Sequence, residues 1–245
     1  MHRRSIVFTA VLALWLATVA AAADAPKPLR TLVYSVQFSS QSRNSEQTSG
    51  FTGAGGGSSA GHGAVERSSS ASDEGTLTID VIAASADNGL VVDAAFAGKT
   101  SAQSRIRVAI LPDGRLSFDP HQQLLPEAAR ILPLLARGIV AGRDVSVGSA
   151  WTAAVQPPAK GSIAFRVTAL EGPQATLTID SEITVPGPQG FDEQDHVTTK
   201  YATDLLCPLT YTLETHSRHQ PSPEQYVTST ARLTATLVSD TFAKK

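Results

Sequence analysis

Apolar and polar side chains alternate with a period of two along most of the chain. A strand with this pattern has one apolar face and one solvent-exposed polar face, which is typical of antiparallel sheets. Parallel strands are usually buried on both faces and therefore have continuous apolar sequences. The alternation predicts about ten strands. The apolar positions that define them include Leu32, Tyr34, Val36, Phe38, Leu77, Ile79, Val81, Ile106, Val108, Ile110, Ile163, Phe165, Val167, Leu177, Ile179, Val197, Tyr201, Leu209, Tyr211, Leu213, Leu233, Ala235 and Leu237.

Short segments rich in Gly, Pro and Asp separate these candidate strands. They are residues 87–89 (Asp-Asn-Gly), 112–114 (Pro-Asp-Gly), 171–173 (Glu-Gly-Pro) and 186–188 (Pro-Gly-Pro). Gly and Asn accept the positive φ of tight turns, and Pro fixes the φ of a turn position. The sequence therefore predicts a meander of strands joined by tight turns, in a mainly β fold.

One segment lacks the alternation, from His121 to Gly142. Pro126 suits the first turn of a helix, Gly142 suits its end, and Pro133 is expected to kink it. Most of the circumference of such a helix is apolar, which indicates burial on most sides. We therefore expect a curved antiparallel sheet, a half-barrel or open barrel, with this kinked helix in its concave face.

The composition changes between Ser39 and Gly75, where 37 residues include 11 Ser and 8 Gly. A segment with so few large apolar side chains buries too little surface to offset the entropy of ordering. We expect residues 39–75 to be a disordered insertion between two strands of one domain that spans residues 24–245.

The N-terminus has the order of a secretory signal peptide. His2, Arg3 and Arg4 precede the uncharged run of residues 6–22, and three alanines precede Asp24. These features predict cleavage after residue 23 and a periplasmic or secreted product without a transmembrane segment. The alternative is an N-terminal membrane anchor, although the run is at the lower limit of spanning length.

The charge balance argues against nucleic acid as a partner. The formal net charge is -2, and removal of residues 1–23 takes away Arg3 and Arg4 and changes it to -4. Binding to a nucleic-acid backbone needs clustered cations, and the sequence has no Lys/Arg cluster.

Cys207 is the single cysteine and therefore cannot form an intrachain disulfide. Its neighbours Leu205, Leu206, Pro208 and Leu209 are apolar. This setting favours a buried inert thiol over a nucleophile, because a thiolate needs nearby cations or a helix N-terminus. Pairing with another chain is the remaining alternative.

The sequence contains none of the common catalytic, phosphate-binding or metal-binding motifs, so we assign no catalytic residue and no cofactor. The best remaining group is Glu214, His216 and His219, with acidic residues and His196 in the segment 192–196 before it. Two imidazoles and a carboxylate are acceptable zinc ligands. Without a defined spacing, the favoured interpretation is solvated side chains at strand ends, with no metal.

A set of large apolar residues is the candidate lining of a ligand pocket. It comprises Leu124, Leu125, Leu132, Leu135 and Ile139 of the predicted helix, with Trp151 and Phe165 of the sheet. A plain packed core would use the same residues.

The signal sequence, the long meander and the apolar helix at residues 124–140 together resemble the half-barrel of periplasmic lipoprotein carriers. The segment from Gly142 to Trp151 resembles several bacterial exported proteins of unknown function. The likeness is architectural and covers residues 29–242, but the Ser/Gly-rich insertion departs from it. No functional residue of the carriers is matched here.

Three functions follow as hypotheses. The first is non-catalytic binding of a lipid, acyl chain or lipoprotein in the half-barrel. The second is an envelope module that binds another envelope protein and has no ligand pocket. The third is a metal-dependent hydrolase that uses the region of His216.

Overall fold

The computed structural model describes residues 27–47, 64–85, 87, 89–101, 103–119, 121–155, 157–187, 190–222 and 225–242. The predicted signal peptide lies outside them, as do residues 48–63 of the predicted insertion. The strands are β1 (Arg30–Gln47), β2 (Ala64–Ser85), β3 (Gly89–Gly98), β4 (Ser104–Ile110), β5 (Leu116–Ser117), β6 (Ala150–Ala154), β7 (Lys160–Glu171), β8 (Gln174–Val185), β9 (Phe191–Ala202), β10 (Cys207–Ser222) and β11 (Gln225–Asp240).

The strands form one antiparallel sheet in the order β5-β4-β3-β2-β1-β11-β10-β9-β8-β7-β6. Strands that follow each other in sequence therefore pair, with the exception of β5 and β6, and the first and last strands pair with each other. The sheet is left open between β5 and β6, the two edge strands, so it is not a closed barrel. The predicted mainly β fold with an open antiparallel meander is confirmed.

The alternation in sequence determines which side chains are buried. On β1, Leu32, Tyr34 and Val36 are almost fully buried, and their partners on β2 and β11 include Ile79 and Ala235. We call the face that carries these side chains the inner face and the opposite one the outer face. The inner face and the connection between β5 and β6 together form the hydrophobic core.

The helical part of that connection is shorter than the predicted helix of residues 121–142. It consists of helix α1 (Pro126–Ile131) and two 3₁₀ turns (Leu132–Leu135 and Arg137–Ile139). Leu125 is extended, as expected for a residue before proline, and Ala136 is extended between the 3₁₀ turns. We refer to residues 126–139 as the helical segment.

Two tyrosine hydroxyls buried in the core hold backbone in place. The Tyr201 hydroxyl donates to the carbonyl oxygen of Leu134 at 2.9 Å, and the Tyr34 hydroxyl donates to that of Pro208 at 3.0 Å. The first of these bonds ties the helical segment to β9. A buried carbonyl without such a donor would cost about 1–3 kcal/mol.

Much of the expected insertion is strand. β1 continues to Gln47 and β2 begins at Ala64, so residues 39–47 and 64–75 are paired in register and are not loop. The physical reason is that ladder hydrogen bonds need no side-chain burial, and Ser tolerates an exposed strand position when both neighbours are paired. The Ser42 and Ser229 hydroxyls also lie 2.9 Å apart across β1 and β11.

An ion pair joins the start of β1 to the end of β11. Arg30 donates from Nε to Oδ1 of Asp240 at 3.0 Å and from Nη2 to Oδ2 at 2.7 Å. Burial alone raises the pKa of the Asp240 carboxyl. The hydrogen bonds from Arg30 and from the Phe242 backbone N–H, together with the Arg30 charge, outweigh burial and lower the pKa.

We expect Asp240→Asn to reduce the free energy of unfolding at neutral pH by about 3 kcal/mol, because it leaves a largely buried Arg30 unpaired. Since the folded pKa of Asp240 is lowered, its contribution is present above the unfolded pKa of about 3.9 and is lost as the pH falls through the folded pKa. Urea unfolding across this range checks the prediction.

The matched control is Glu171→Gln, which removes an exposed charge at the end of β7. It should change the free energy of unfolding by less than about 0.5 kcal/mol. An Asp240→Asn deficit that stayed constant down to about pH 3 would show that the carboxylate charge is not the stabilising group.

Candidate functional site

Two cavities flank the helical segment. The first, about 470 Å³, opens between the two edge strands of the sheet, and we call it the slit cavity. The second, about 390 Å³, lies where β1 begins and β2 ends, and we call it the end cavity. Both sizes are within the range of small-molecule sites, about 300–1,000 Å³.

The slit cavity exists because β5 and β6 do not pair. The turn before β5 contributes Gly114, β5 contributes Leu116, and β6 contributes Trp151 and Ala153. Since residues of both sheet edges line the same cavity, the sheet curls until its edges face each other across it. The helical segment provides a further wall, which includes Ile139.

The turn between β4 and β5 holds the helical segment against the sheet edge. The Gly138 backbone N–H donates to the Pro112 carbonyl oxygen at 2.9 Å. A Cβ on Gly138 would lie 2.3 Å from that same oxygen, so only glycine permits this approach. Gly114 in the turn has φ +91°, which also favours glycine.

The inner faces of β7 to β10 form the apolar floor of the slit cavity. Ile163, Phe165, Ile179 and Val197 line it. Trp151 stacks on Phe165 with ring centroids 5.4 Å apart and an interplanar angle of 5°. Large, rigid aromatic surfaces of this kind are common walls of sites for apolar ligands.

A polar cluster interrupts the apolar lining. Arg130 of α1 donates to Asp195 at 2.8 Å and to Glu193 at 2.9 Å, both on β9. Asp195 also accepts hydrogen bonds from Ser181 at 3.2 Å and Thr215 at 2.7 Å. We call these five residues the polar cluster.

The charges of the polar cluster are largely removed from solvent. The side chains of Asp195 and Glu193 are 8% and 12% exposed, and that of Arg130 is 32% exposed. Burial lowers the pKa of Arg130, but the charges of Asp195 and Glu193 outweigh it and raise the pKa. Arg130 therefore stays charged and neutralises one of two carboxylates.

The end cavity is bordered by Arg30 and by two exposed apolar residues, Leu29 and Phe242. Cys207 lies below it, fully buried, and accepts a hydrogen bond from Nη2 of Arg30 at 3.2 Å. Burial raises the pKa of the Cys207 thiol, and Arg30 only partly offsets this effect. The predicted burial of Cys207 is confirmed.

The structure divides the predicted pocket residues among three places. Ile139, Trp151 and Phe165 line the slit cavity, whereas Leu135 lines the end cavity. The other three belong to the packed core and its border: Leu124, Leu125 and Leu132.

The predicted metal candidates do not converge. Glu214 and His216 are exposed on the outer face of β10, and His219 has the opposite strand parity and contacts the Gly190 carbonyl oxygen through Nδ1 at 3.1 Å. Among the described residues, no three His, Cys, Asp or Glu side chains are grouped to hold a metal ion. His196 instead pairs with Asp180 across β8 and β9 at 2.6 Å.

Sequence reasoning did not find the polar cluster. The alternation of side chains along β9 could have revealed it. Every second residue of a strand lies on the same face, so Glu193 and Asp195 share the inner face with Val197. The interpretation of these residues as solvated side chains at strand ends hid it. In the structure β9 begins at Phe191.

No model of a known protein family matches the chain, and no curated protein is significantly similar to it in sequence. No helix among the described residues is long and apolar enough to span a membrane. The fold and the cavities are therefore the observations from which a function can be argued.

We expect Arg130→Met to lower the free energy of unfolding at neutral pH by about 2 kcal/mol, because Glu193 and Asp195 then lie buried without a cation. Urea unfolding at neutral pH measures this deficit.

The control is Arg137→Met, an exposed arginine in the same helical segment, which should have little effect on stability. Adding Glu193→Gln and Asp195→Asn to Arg130→Met should restore part of the lost stability. If the triple variant were less stable than Arg130→Met alone, unpaired carboxylates would not be the cause of the deficit.

Proposed function

We propose that this is an exported, non-catalytic binding protein that holds an apolar ligand, a lipid or acyl chain, in the slit cavity. The observation that carries the proposal is the apolar hollow of about 470 Å³ between the helical segment and the inner face of β7 to β10. Transfer of apolar surface from water into such a hollow contributes about 25 cal/mol per Å².

The position of the slit cavity indicates a ligand-binding site and not an incidental packing defect. It lies where the edge strands separate, so a ligand can enter without breaking sheet hydrogen bonds. Charged residues stand at its border, where Arg115 pairs with Asp113 at 2.6 Å and Arg143 lies over the Trp151 ring at 5.8 Å. Apolar walls with a polar rim are the usual anatomy of small-molecule sites.

The chemistry of the lining favours binding over catalysis. The two groups of opposite charge in the interior of the described cavity, Arg130 and Asp195, hold each other in an ion pair. Asp195 accepts hydrogen bonds from Arg130, Ser181 and Thr215, so both of its oxygens already have partners. Export through the predicted signal peptide is part of this proposal, and it places the protein in the periplasm or outside the cell.

We expect Ala153→Phe to abolish most ligand binding, because the added ring occupies the slit cavity from β6. The probe is N-phenyl-1-naphthylamine, a neutral apolar dye whose fluorescence increases in apolar surroundings. Titration should show saturable binding to the wild type and at least about tenfold weaker binding to the variant, which corresponds to about 1.4 kcal/mol.

Ala164→Phe is the matched control. Ala164 lies on the adjacent strand β7 next to Phe165 but is exposed on the outer face, so the same substitution there should leave dye binding unchanged. Absence of saturable dye binding by the wild type, together with no lipid in native mass spectra of protein purified from its own compartment, would refute the proposal.

A further inference from the structure

One buried tyrosine hydroxyl in the slit cavity has no hydrogen-bond partner among the residues that the structure describes. Tyr211 on β10 is 3% exposed and lines the cavity, and no described residue forms a hydrogen bond with its hydroxyl. The two other deeply buried tyrosines, Tyr34 and Tyr201, both donate to backbone carbonyls. Tyr211 therefore differs from them in leaving its donor free.

The Tyr211 hydroxyl is open to the cavity. Among the side-chain nitrogen and oxygen atoms of the described residues, Oδ1 of Asn44 alone is both fully enclosed and unpartnered. Since Tyr211 lines the cavity and its hydroxyl is not enclosed, the hydroxyl faces the empty space. Burial raises the pKa of Tyr211, so its hydroxyl remains protonated and able to donate at neutral pH.

The charge near Tyr211 disfavours an anion. Tyr211 interacts electrostatically with Arg130 and Asp195, and Arg130 is shared between Asp195 and Glu193. One cation and two carboxylates leave a local excess of one negative charge. The remaining charged groups, Arg143 and the pair of Asp113 and Arg115, stand at the mouth of the cavity.

The geometry also disfavours a cationic ligand group. Both oxygens of Asp195 are occupied, Oδ1 by Thr215 and Oδ2 by Arg130 and Ser181. A ligand cation would have to share this carboxylate with Arg130, which already neutralises its charge, and would lose its own hydration. The hydrogen-bonding group that a ligand can use is thus the neutral Tyr211 hydroxyl, and the charged groups beside it, Arg130 and Asp195, are already paired with each other.

We propose, on the basis of the binding function above, that the slit cavity selects an amphiphile with an uncharged polar end. Its ester, amide or alcohol oxygen accepts a hydrogen bond from Tyr211. The apolar part of the ligand then contacts the floor formed by Phe165, Ile179 and Val197. Neutral acyl esters and fatty alcohols fit this description, whereas ionised fatty acids do not.

The experiment uses the intrinsic fluorescence of Trp151, which lines the cavity. The sequence has one other tryptophan, Trp15, which lies in the predicted signal peptide, so the protein cleaved after residue 23 carries Trp151 as its single tryptophan. Methyl palmitate, 1-hexadecanol and palmitate are titrated in turn at about pH 8, where a carboxylic acid is ionised. We expect the ester and the alcohol to bind at least about tenfold more tightly than palmitate.

Tyr211→Phe removes the hydroxyl and keeps the ring. It should weaken binding of the ester and the alcohol by about 3- to 10-fold, the usual effect of losing one hydrogen bond, and leave palmitate unchanged. Tyr226→Phe, on β11 against Arg218 with 4.7 Å between the guanidinium carbon and the ring centroid, is the control and should change nothing.

Glu193→Gln tests the charge argument separately. It leaves Arg130 paired with Asp195 and removes the excess negative charge. We expect palmitate to bind at least about threefold more tightly to this variant, while the neutral probes stay unchanged. Circular dichroism of each variant verifies that the fold is retained.

The outcomes separate the two proposals. If no probe binds, and N-phenyl-1-naphthylamine does not bind either, the proposed binding function fails. If the probes bind but palmitate binds as tightly as the ester, or Tyr211→Phe weakens none of them, binding stands and the neutral polar end is refuted. An anionic head held at the mouth by Arg143 would give that second result.

Discussion

The pairing of the first strand with the last is the constraint on which the structure depends. β1 and β11 pair from Leu32 with Asp240 to Glu46 with Gln225, and this ladder lies at the centre of the sheet. Because the first and last strands meet there, the strands in between extend outward on both sides. The edges must then be β5 and β6, which adjoin the middle of the chain, and the opening lies between them.

This topology places two requirements on the connection between β5 and β6. It must cover the inner face at the place where no strand is present, and it must satisfy its own backbone groups while buried. The connection consists of a six-residue helix and two short 3₁₀ turns. Two hydrogen bonds from outside its own helical turns support it: the Tyr201 hydroxyl donates to the Leu134 carbonyl oxygen, and the Gly138 N–H donates to the Pro112 carbonyl oxygen. Such a short element covers part of the inner face and leaves cavities beside it.

The sequence predicts the strands and their buried positions well, because a period of two is a local pattern. It predicts the connection less well, since Pro133 permits either a kinked helix or an early end, and only packing decides. The Ser/Gly-rich residues 39–47 and 64–75 look unstructured from composition, yet ladder pairing with long-range neighbours orders them. The polar cluster depends on where β9 begins, which composition does not specify.

The inner face changes character along the strands, and this change places the candidate site. On β9 it passes from Tyr201 and Val197 to Asp195 and Glu193, and on β10 the register sets Leu213 beside Val197 and Thr215 beside Asp195. The helical segment covers the apolar part of this face. Its Arg130 donates hydrogen bonds to Asp195 and Glu193, the carboxylates next to that part. A cavity at this boundary has apolar walls and polar groups together. An alkane would form no hydrogen bond with Tyr211. A strongly polar molecule would leave the apolar surface of Trp151 and Phe165 in contact with water. The amphiphile that we propose as the ligand would satisfy both surfaces.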